Sequence, residues 1–283
     1  MKNTILLILL IIGIFIKSQT HRYIYELQFK YDSTEVDRAK VNMVLDITPK
    51  EVKFYEEDLL VTDSINKKMG SQNKYFDMSG QIVKRKVNSF ENENFISIKF
   101  NYYTYKTTDK ISWNISGETK KIQGYTLQKA TTKFGGRNWT AWFNKDIPFN
   151  EGPFKFRNLP GLIFELQDDH QNFIYTLVKN KNLPGIYSTN DFLETFFGSK
   201  AVPITEQQKQ KLLLEYYNDP FAFERNNFSK NNADWKININ GKEIRSIDEL
   251  NTQTKNMQEL IKNIIILSSL TKLCIIRINT YPY

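Results

Sequence analysis

Gly152-Pro153-Phe154-Lys155-Phe156-Arg157-Asn158-Leu159-Pro160-Gly161-Leu162-Ile163-Phe164-Glu165 is the stretch whose reading decides the fold. Pro153 and Pro160 each fix φ near −65° and remove a backbone donor. Gly152 and Gly161 tolerate positive φ, where other residues are strained. Pro160-Gly161 suits the central positions of a type II turn, with glycine second. The expected path is a strand, a sharp corner over Asn158-Leu159-Pro160-Gly161, then a buried strand from Leu162.

Outward from this corner the chain alternates. Tyr23, Tyr25, Leu27, Phe29 and Tyr31 fall on one face of a strand within His21–Tyr31. Further strands are expected over Val41–Ile47, Val52–Val61, Lys74–Met78, Gln81–Val87, Phe95–Tyr105, Lys110–Ser116, Ile122–Lys133, Asn138–Lys145, Leu162–Gln167 and Phe173–Lys179. Asp63–Asn73 reads as a loop. Ser79-Gly80 and Gly135-Gly136 read as hairpin turns. Aromatics make up 14% of the chain, which favours strands over helices.

The character changes after Lys179. A short helix is expected over Phe192–Phe197. Thr205 with Gln208 is a capping-box pair opening a helix through Tyr217. Asp219-Pro220 breaks it and starts a successor over Phe221–Asn227. Trp235–Ile239 and Lys242–Ile244 form a hairpin around Asn240-Gly241. Ser246 with Glu249 caps a last helix running to about Lys262. The expected fold is mainly β: one domain over residues 20–263, a curved antiparallel sheet or partial barrel with C-terminal helices packed on one side.

The start reads as a signal peptide over residues 1–19. Lys2 precedes an apolar run from Ile5 to Ile16, shorter than the roughly 20 residues a membrane span needs. The expected product is exported, periplasmic or extracellular, with outer-membrane association allowed and no stable transmembrane span after cleavage. Cys274 is the only cysteine, so an internal disulfide is ruled out. The formal charge of +8 includes Lys2 and Lys17, leaving +6 after cleavage. No run of five like charges occurs, so nucleic acid is not an expected partner.

Residues Asn158-Leu159-Pro160-Gly161-Leu162-Ile163 resemble the signature of the GLPGLI family of exported bacterial proteins, with Asn158 in place of its first glycine. Trp113-Asn114-Ile115, Glu118 to Tyr125, Lys129-Ala130-Thr131, Trp139 to Trp142, Asp146-Ile147-Pro148 and Gly152 to Phe156 are similar to the same family. Asn accepts the left-handed region better than most residues, so the corner survives the exchange. Where many members carry a cysteine, this chain has Thr126-Leu127-Gln128. The resemblance implies an exported β-rich protein and supplies no catalytic residues. Members commonly end near Asn-Asn-Pro-Ile-Glu-Leu, whereas this chain has Ile264 to Leu270. Residues 264–283 are therefore expected to be an atypical tail, either the product of a shifted reading frame, which the underlying DNA decides, or a true final strand or membrane-associating tail.

The motif residues Gly152, Pro153, Phe156, Asn158, Leu159, Pro160, Gly161, Leu162 and Ile163 are expected to be structural. Trp113, Lys120, Lys121 and Trp142 are candidates for a groove or an anion contact. In a strand Lys120 and Lys121 point to opposite faces, as do Trp139 and Trp142. With only His21 and His170, a three-histidine zinc site is excluded, and no metal or cofactor is expected. Asp168-Asp169-His170 and Glu56-Glu57-Asp58 read as solvated turns. The expected role is non-enzymatic binding or envelope maintenance, with an apolar or peptide ligand or an envelope protein as partner. The alternatives are an accessory partner of an outer-membrane transport machine, or a hydrolase using two of Glu118, Asp146, Glu165 and Asp168.

Overall fold

Alternating aromatic and polar residues build the longest strands, and their pairing gives one sheet. The structure is a computed structural model that describes residues 19–31, 35–73, 75, 77–98, 101–196, 198–231, 236–239 and 241–267. The expected signal peptide through Ser18, the tail from Ser268 with Cys274, and Trp235 and Asn240 of the last hairpin lie outside the described residues.

The strands in chain order are β1 (Thr20–Phe29), β2 (Ala39–Ile47), β3 (Glu51–Glu56), β4 (Ile82–Lys86), β5 (Glu91–Ile98), β6 (Asn101–Thr108), β7 (Asn114–Ile122), β8 (Tyr125–Phe134), β9 (Arg137–Asn144), β10 (Leu162–Asp168) and β11 (Phe173–Leu183). Short strands follow: β12 (Thr195–Phe196), β13 (Ser199–Lys200), β14 (Val202–Pro203), β15 (Ile237–Ile239) and β16 (Lys242–Ile244). The helices are α1 (Glu57–Met69), α2 (Glu206–Asn218), α3 (Ala222–Asn231) and α4 (Ile247–Leu267). Twelve strands form one open sheet in the order β14-β6-β5-β4-β3-β2-β1-β11-β10-β9-β8-β7. Its pairs are antiparallel, except that β14 runs parallel to β6. The mainly β, antiparallel expectation holds, and the sheet does not close.

Period-two alternation sorts side chains onto two faces. Tyr23, Tyr25, Leu27, Met43, Leu45, Phe54, Val83, Trp139, Ala141, Phe143 and Tyr175 lie on the inner face of the large core. Farther along that face, Ile96, Ile98 and Tyr103 pack against α2 and α4 through Leu213, Tyr216, Leu250 and Ile261. The outer face carries Val44, Tyr55, Ile82, Phe95 and Tyr102, with Leu59 of α1 against them.

Several elements differ from the sequence reading. Val52–Val61 is strand only to Glu56, and Asp63–Asn73 is helix as far as Met69. Glu57 and Asp58 start α1, Lys67 and Lys68 end it, and Gly70 at φ 65° stops it. Those charges complement the helix dipole and that glycine is a left-handed stop. Phe95–Tyr105 is two strands, because β5 reverses into β6 with Ile98 opposite Asn101. Alternation continues on both sides, and no glycine or proline marks the reversal. Tyr75, Asp77 and Met78 lie outside the strands; the Met78 and Ser79 amides donate to the Glu56 carboxylate instead of a ladder. Gln123 (φ 50°) and Gly124 (φ 85°) form the β7–β8 turn, so Ile122 ends a strand instead of opening one. Phe192–Phe196 is not helical: the Phe192 and Leu193 amides turn back onto Thr189 O, and β12 pairs with β13 around Gly198.

Other signals read directly. Gly135 (φ 58°) and Gly136 (φ 76°) form the β8–β9 turn. Thr205 and Gln208 form both halves of the capping box on α2. At α4, Ser246 Oγ accepts from the Glu249 amide at 3.2 Å, while the Glu249 carboxylate takes the Arg245 amide.

Candidate functional site

The connection from β9 to β10 does not run over the surface. Residues 151–157 are all buried and sit as a plug on the inner face of the sheet. Phe156 packs on Trp139 with ring centroids 4.5 Å apart, and Phe154 faces Phe54 at 6.4 Å. Phe156 N–H closes a turn onto Pro153 O at 3.0 Å, so this half of the motif is not the expected strand.

The corner itself is tighter than a type II turn. Gly161 N–H donates to Leu159 O at 2.8 Å, an i→i+2 bond centred on Pro160. Gly161 has φ +148°, and a Cβ there would stand 2.0 Å from Asn144 O. A Cβ on Gly152 would meet Ile163 Cδ1 at 2.6 Å. Asn158 takes φ 77°, as the exchange for glycine requires. Its N–H returns to Asn150 O at 2.8 Å, and the Ile163 N–H goes to Glu151 O at 3.1 Å. Tyr25 Oη donates to Ile163 O at 2.6 Å, tying the corner to the central strand.

The plug carries three charges into this interior. Glu151 accepts from Arg85 Nη2, and its other oxygen lies 3.3 Å from Arg157 Nε. Arg85 also donates to Phe154 O at 2.9 Å, and Arg157 to Ser89 O. Trp113 Nε1 donates to Arg157 O at 2.8 Å. Lys155 Nζ lies 3.0 Å from Asp109 Oδ2 and donates to Thr107 Oγ1 at 3.0 Å. Burial pushes the Lys155 ammonium below its ordinary range, and Asp109 opposes that shift. Next to it Lys209 of α2 lies 4.0 Å over the Tyr105 ring and pairs with Glu206 at 2.7 Å.

Two asparagines of β5 complete a polar strip between the plug and α2. Asn92 Nδ2 donates to Asp109 at 2.9 Å, and Asn94 Nδ2 to Asn92 O, Tyr105 O and Thr107 Oγ1. A carboxylate and main-chain carbonyls only accept, so these contacts fix both amide orientations. Asn92 Oδ1, Asn94 Oδ1 and Arg85 Nε are buried without a hydrogen-bond partner among the described residues. The strip can therefore offer two acceptors and a guanidinium donor, with a lysine beside them.

The four groove candidates do not converge. Trp113 belongs to the inner face, 6.2 Å from Phe156. Lys121 is exposed. Lys120 lies 4.3 Å over Trp142 on the outer face and pairs with Glu165. Lys129 lies 5.9 Å over the same ring and pairs with Glu118 at 2.8 Å. Trp139 is core and Trp142 half-buried, as their spacing requires. Among the hydrolase candidates, Asp168 is buried against Arg137 at 2.8 Å, and Asp146 is exposed beyond Asn144. Glu118 and Glu165 flank Trp142, each tied to its own lysine.

The carboxyls with raised pKa are ones the sequence did not single out as acids. Burial raises Glu56, which accepts from Tyr75 Oη at 2.9 Å. Burial, then the Glu56 charge, raises Asp77 well above the usual carboxylate range. A raised folded-state value adds stability below about pH 4, where both states hold the proton. That stability is lost as pH rises through the folded value. Wild-type stability in urea should therefore fall more steeply above pH 4 than that of Asp77→Asn. Equal slopes would contradict the assignment.

Plug, corner and open antiparallel sheet together define a β-sheet protein whose β9–β10 connection is buried in its core. A family model described as a protein of unknown function, Porph_ging, matches residues 135–165: the β8–β9 turn, β9, the whole plug and the start of β10. Two structures of PNGF-II, in space groups C2 and P21, are similar in fold, each with a TM-score of 0.52 at 14% identity. They match 70% of this chain, which spans about a third of theirs, 33% and 34%. No curated protein matches the chain in sequence.

Proposed function

We propose that the chain is an exported bacterial envelope protein of the GLPGLI type that works by binding a small polar ligand. The observation that carries this reading is the buried strip of Asn92, Asn94, Lys155 and Arg85 with hydrogen-bonding atoms unfilled. Buried polar groups without partners cost about 1–3 kcal/mol each, so a group that fills them binds favourably. The apolar ligand expected between sheet and helices has a competitor, because Phe154, Phe156 and Leu159 occupy the inner face. Binding is favoured over hydrolysis because Glu118, Glu165 and Asp168 are each held by a cation. The apolar start at Ile5–Ile16 supports export.

Native mass spectrometry of the full chain expressed in a bacterial host and recovered from its envelope fraction tests both parts. The expected result is a chain lacking about its first 19 residues with a bound small molecule. Recovery from the cytoplasm at full length and without added mass would overturn the reading.

A further inference from the structure

Two arginines and one glutamate meet on the inner face, and their charges do not cancel. Arg85, Glu151 and Arg157 are all more than nine-tenths buried. A guanidinium stays charged in proteins, so proton loss cannot relieve the excess. The neighbouring pairs, Lys155 with Asp109 and Lys209 with Glu206, bring no surplus negative charge. Arg85 follows Lys84, whose β5 partner is Glu93, so Arg85 and Asn92 sit on adjacent strands. Arg85 Nε has no acceptor among the described residues, and the face of Arg157 is covered by the Phe90 ring at 5.1 Å. An uncompensated buried charge is strongly unfavourable, and a counter-ion removes the cost.

We infer that the Arg85–Arg157 cluster, with the carbonyls of Asn92 and Asn94 at its side, binds one small anionic group of carboxylate or phosphate size. This names the ligand class for the binding role proposed above and rests on that reading for its biological meaning. The anion accepts from Arg85 Nε, and hydroxyl or amide donors on the same ligand reach Asn92 Oδ1 and Asn94 Oδ1.

Bromide is the probe. Thermal unfolding of the wild-type chain is followed in sodium bromide and in sodium gluconate at equal ionic strength, and crystals are soaked in bromide. The expected result is a melting temperature that rises with the logarithm of bromide concentration, and an anomalous peak within about 3.5 Å of Arg85 Nε. Arg85→Met should abolish the rise. If that variant does not fold, the wild-type crystal still decides. No bromide-specific rise and no peak would overturn the inference. So would a peak with an unchanged slope in Arg85→Met, which marks an adventitious ion only. A neutral ligand found by mass spectrometry with no bromide effect would sink the anion site and leave the binding role. A bromide site in a chain that never carries a ligand would support the site and sink the role.

Discussion

Gly161→Ala is expected to lower stability by about 3–5 kcal/mol, the sum of backbone strain at φ +148° and overpacking. The added methyl would stand 2.0 Å from Asn144 O, a backbone atom of β9 that cannot rotate away. Leu162 pairs with Asn144, so relief requires opening the first β9–β10 pair and lifting the corner off the sheet. That is a large share of the roughly 5–15 kcal/mol that keeps a domain folded. A fall of about 10 °C in melting temperature should follow. Gly185→Ala, with nothing within 4 Å of its added carbon, is the control and should change stability by less than about 0.5 kcal/mol. Similar results for the two variants would show that the corner is not close-packed.

Glu151→Ala is the second large effect. It leaves two buried guanidiniums facing one another without their shared carboxylate. Removing one member of a buried ion pair costs about 3–5 kcal/mol, mostly as the penalty of the stranded charge. Replacing the whole cluster behaves differently, since no charge is left behind. The triple variant Arg85→Met, Glu151→Leu, Arg157→Met should recover most of the loss in urea unfolding. A triple variant as unstable as the single one would mean that Glu151 acts through backbone geometry, not charge. The two predictions separate the parts of the plug: Gly161 sets its path, and Glu151 neutralises what the path carries inside.

Much of the scaffold could be read from residues alone, because period two survives local noise. Tyr23 to Phe29 named their own face, and Gly135-Gly136 and Thr205 with Gln208 announced a turn and a cap. The misses have physical causes. Helix α1 buries only Leu59 and Asp63, so its apolar stripe was too thin to break the strand pattern before it. The β5–β6 reversal lies between two aromatic strands and lacks a turn residue. The corner was legible as a corner, yet its i→i+2 closure depends on how closely Asn144 O approaches, which no local pattern encodes.

The polar strip was the least visible. Arg85 lies between Lys84 and Lys86 within the expected strand Gln81–Val87, and Asn92 and Asn94 precede the strand expected from Phe95, so no local pattern pairs them. Glu151, Lys155 and Arg157 punctuate the apolar motif, and charged residues spaced through a buried run were the available signal. Their partners are far away in sequence: Arg85 of β4 is 66 residues from Glu151 and 69 from Phe154, and Thr107 of β6 is 48 from Lys155. Of the groove candidates, Lys120 and Trp142 meet across strands, while Trp113 turns to the other face.

Site-resolved amide hydrogen exchange tests the seating of the plug most directly. The amides of Phe156, Asn158, Gly161 and Ile163 each donate to a carbonyl within residues 150–159. If the plug is part of the core, these four should exchange only through global unfolding, with the denaturant dependence of Ala141 and Leu166 in the flanking strands. Fast exchange of the four, insensitive to denaturant while Ala141 and Leu166 stay protected, would show a loop resting on a sheet that folds without it.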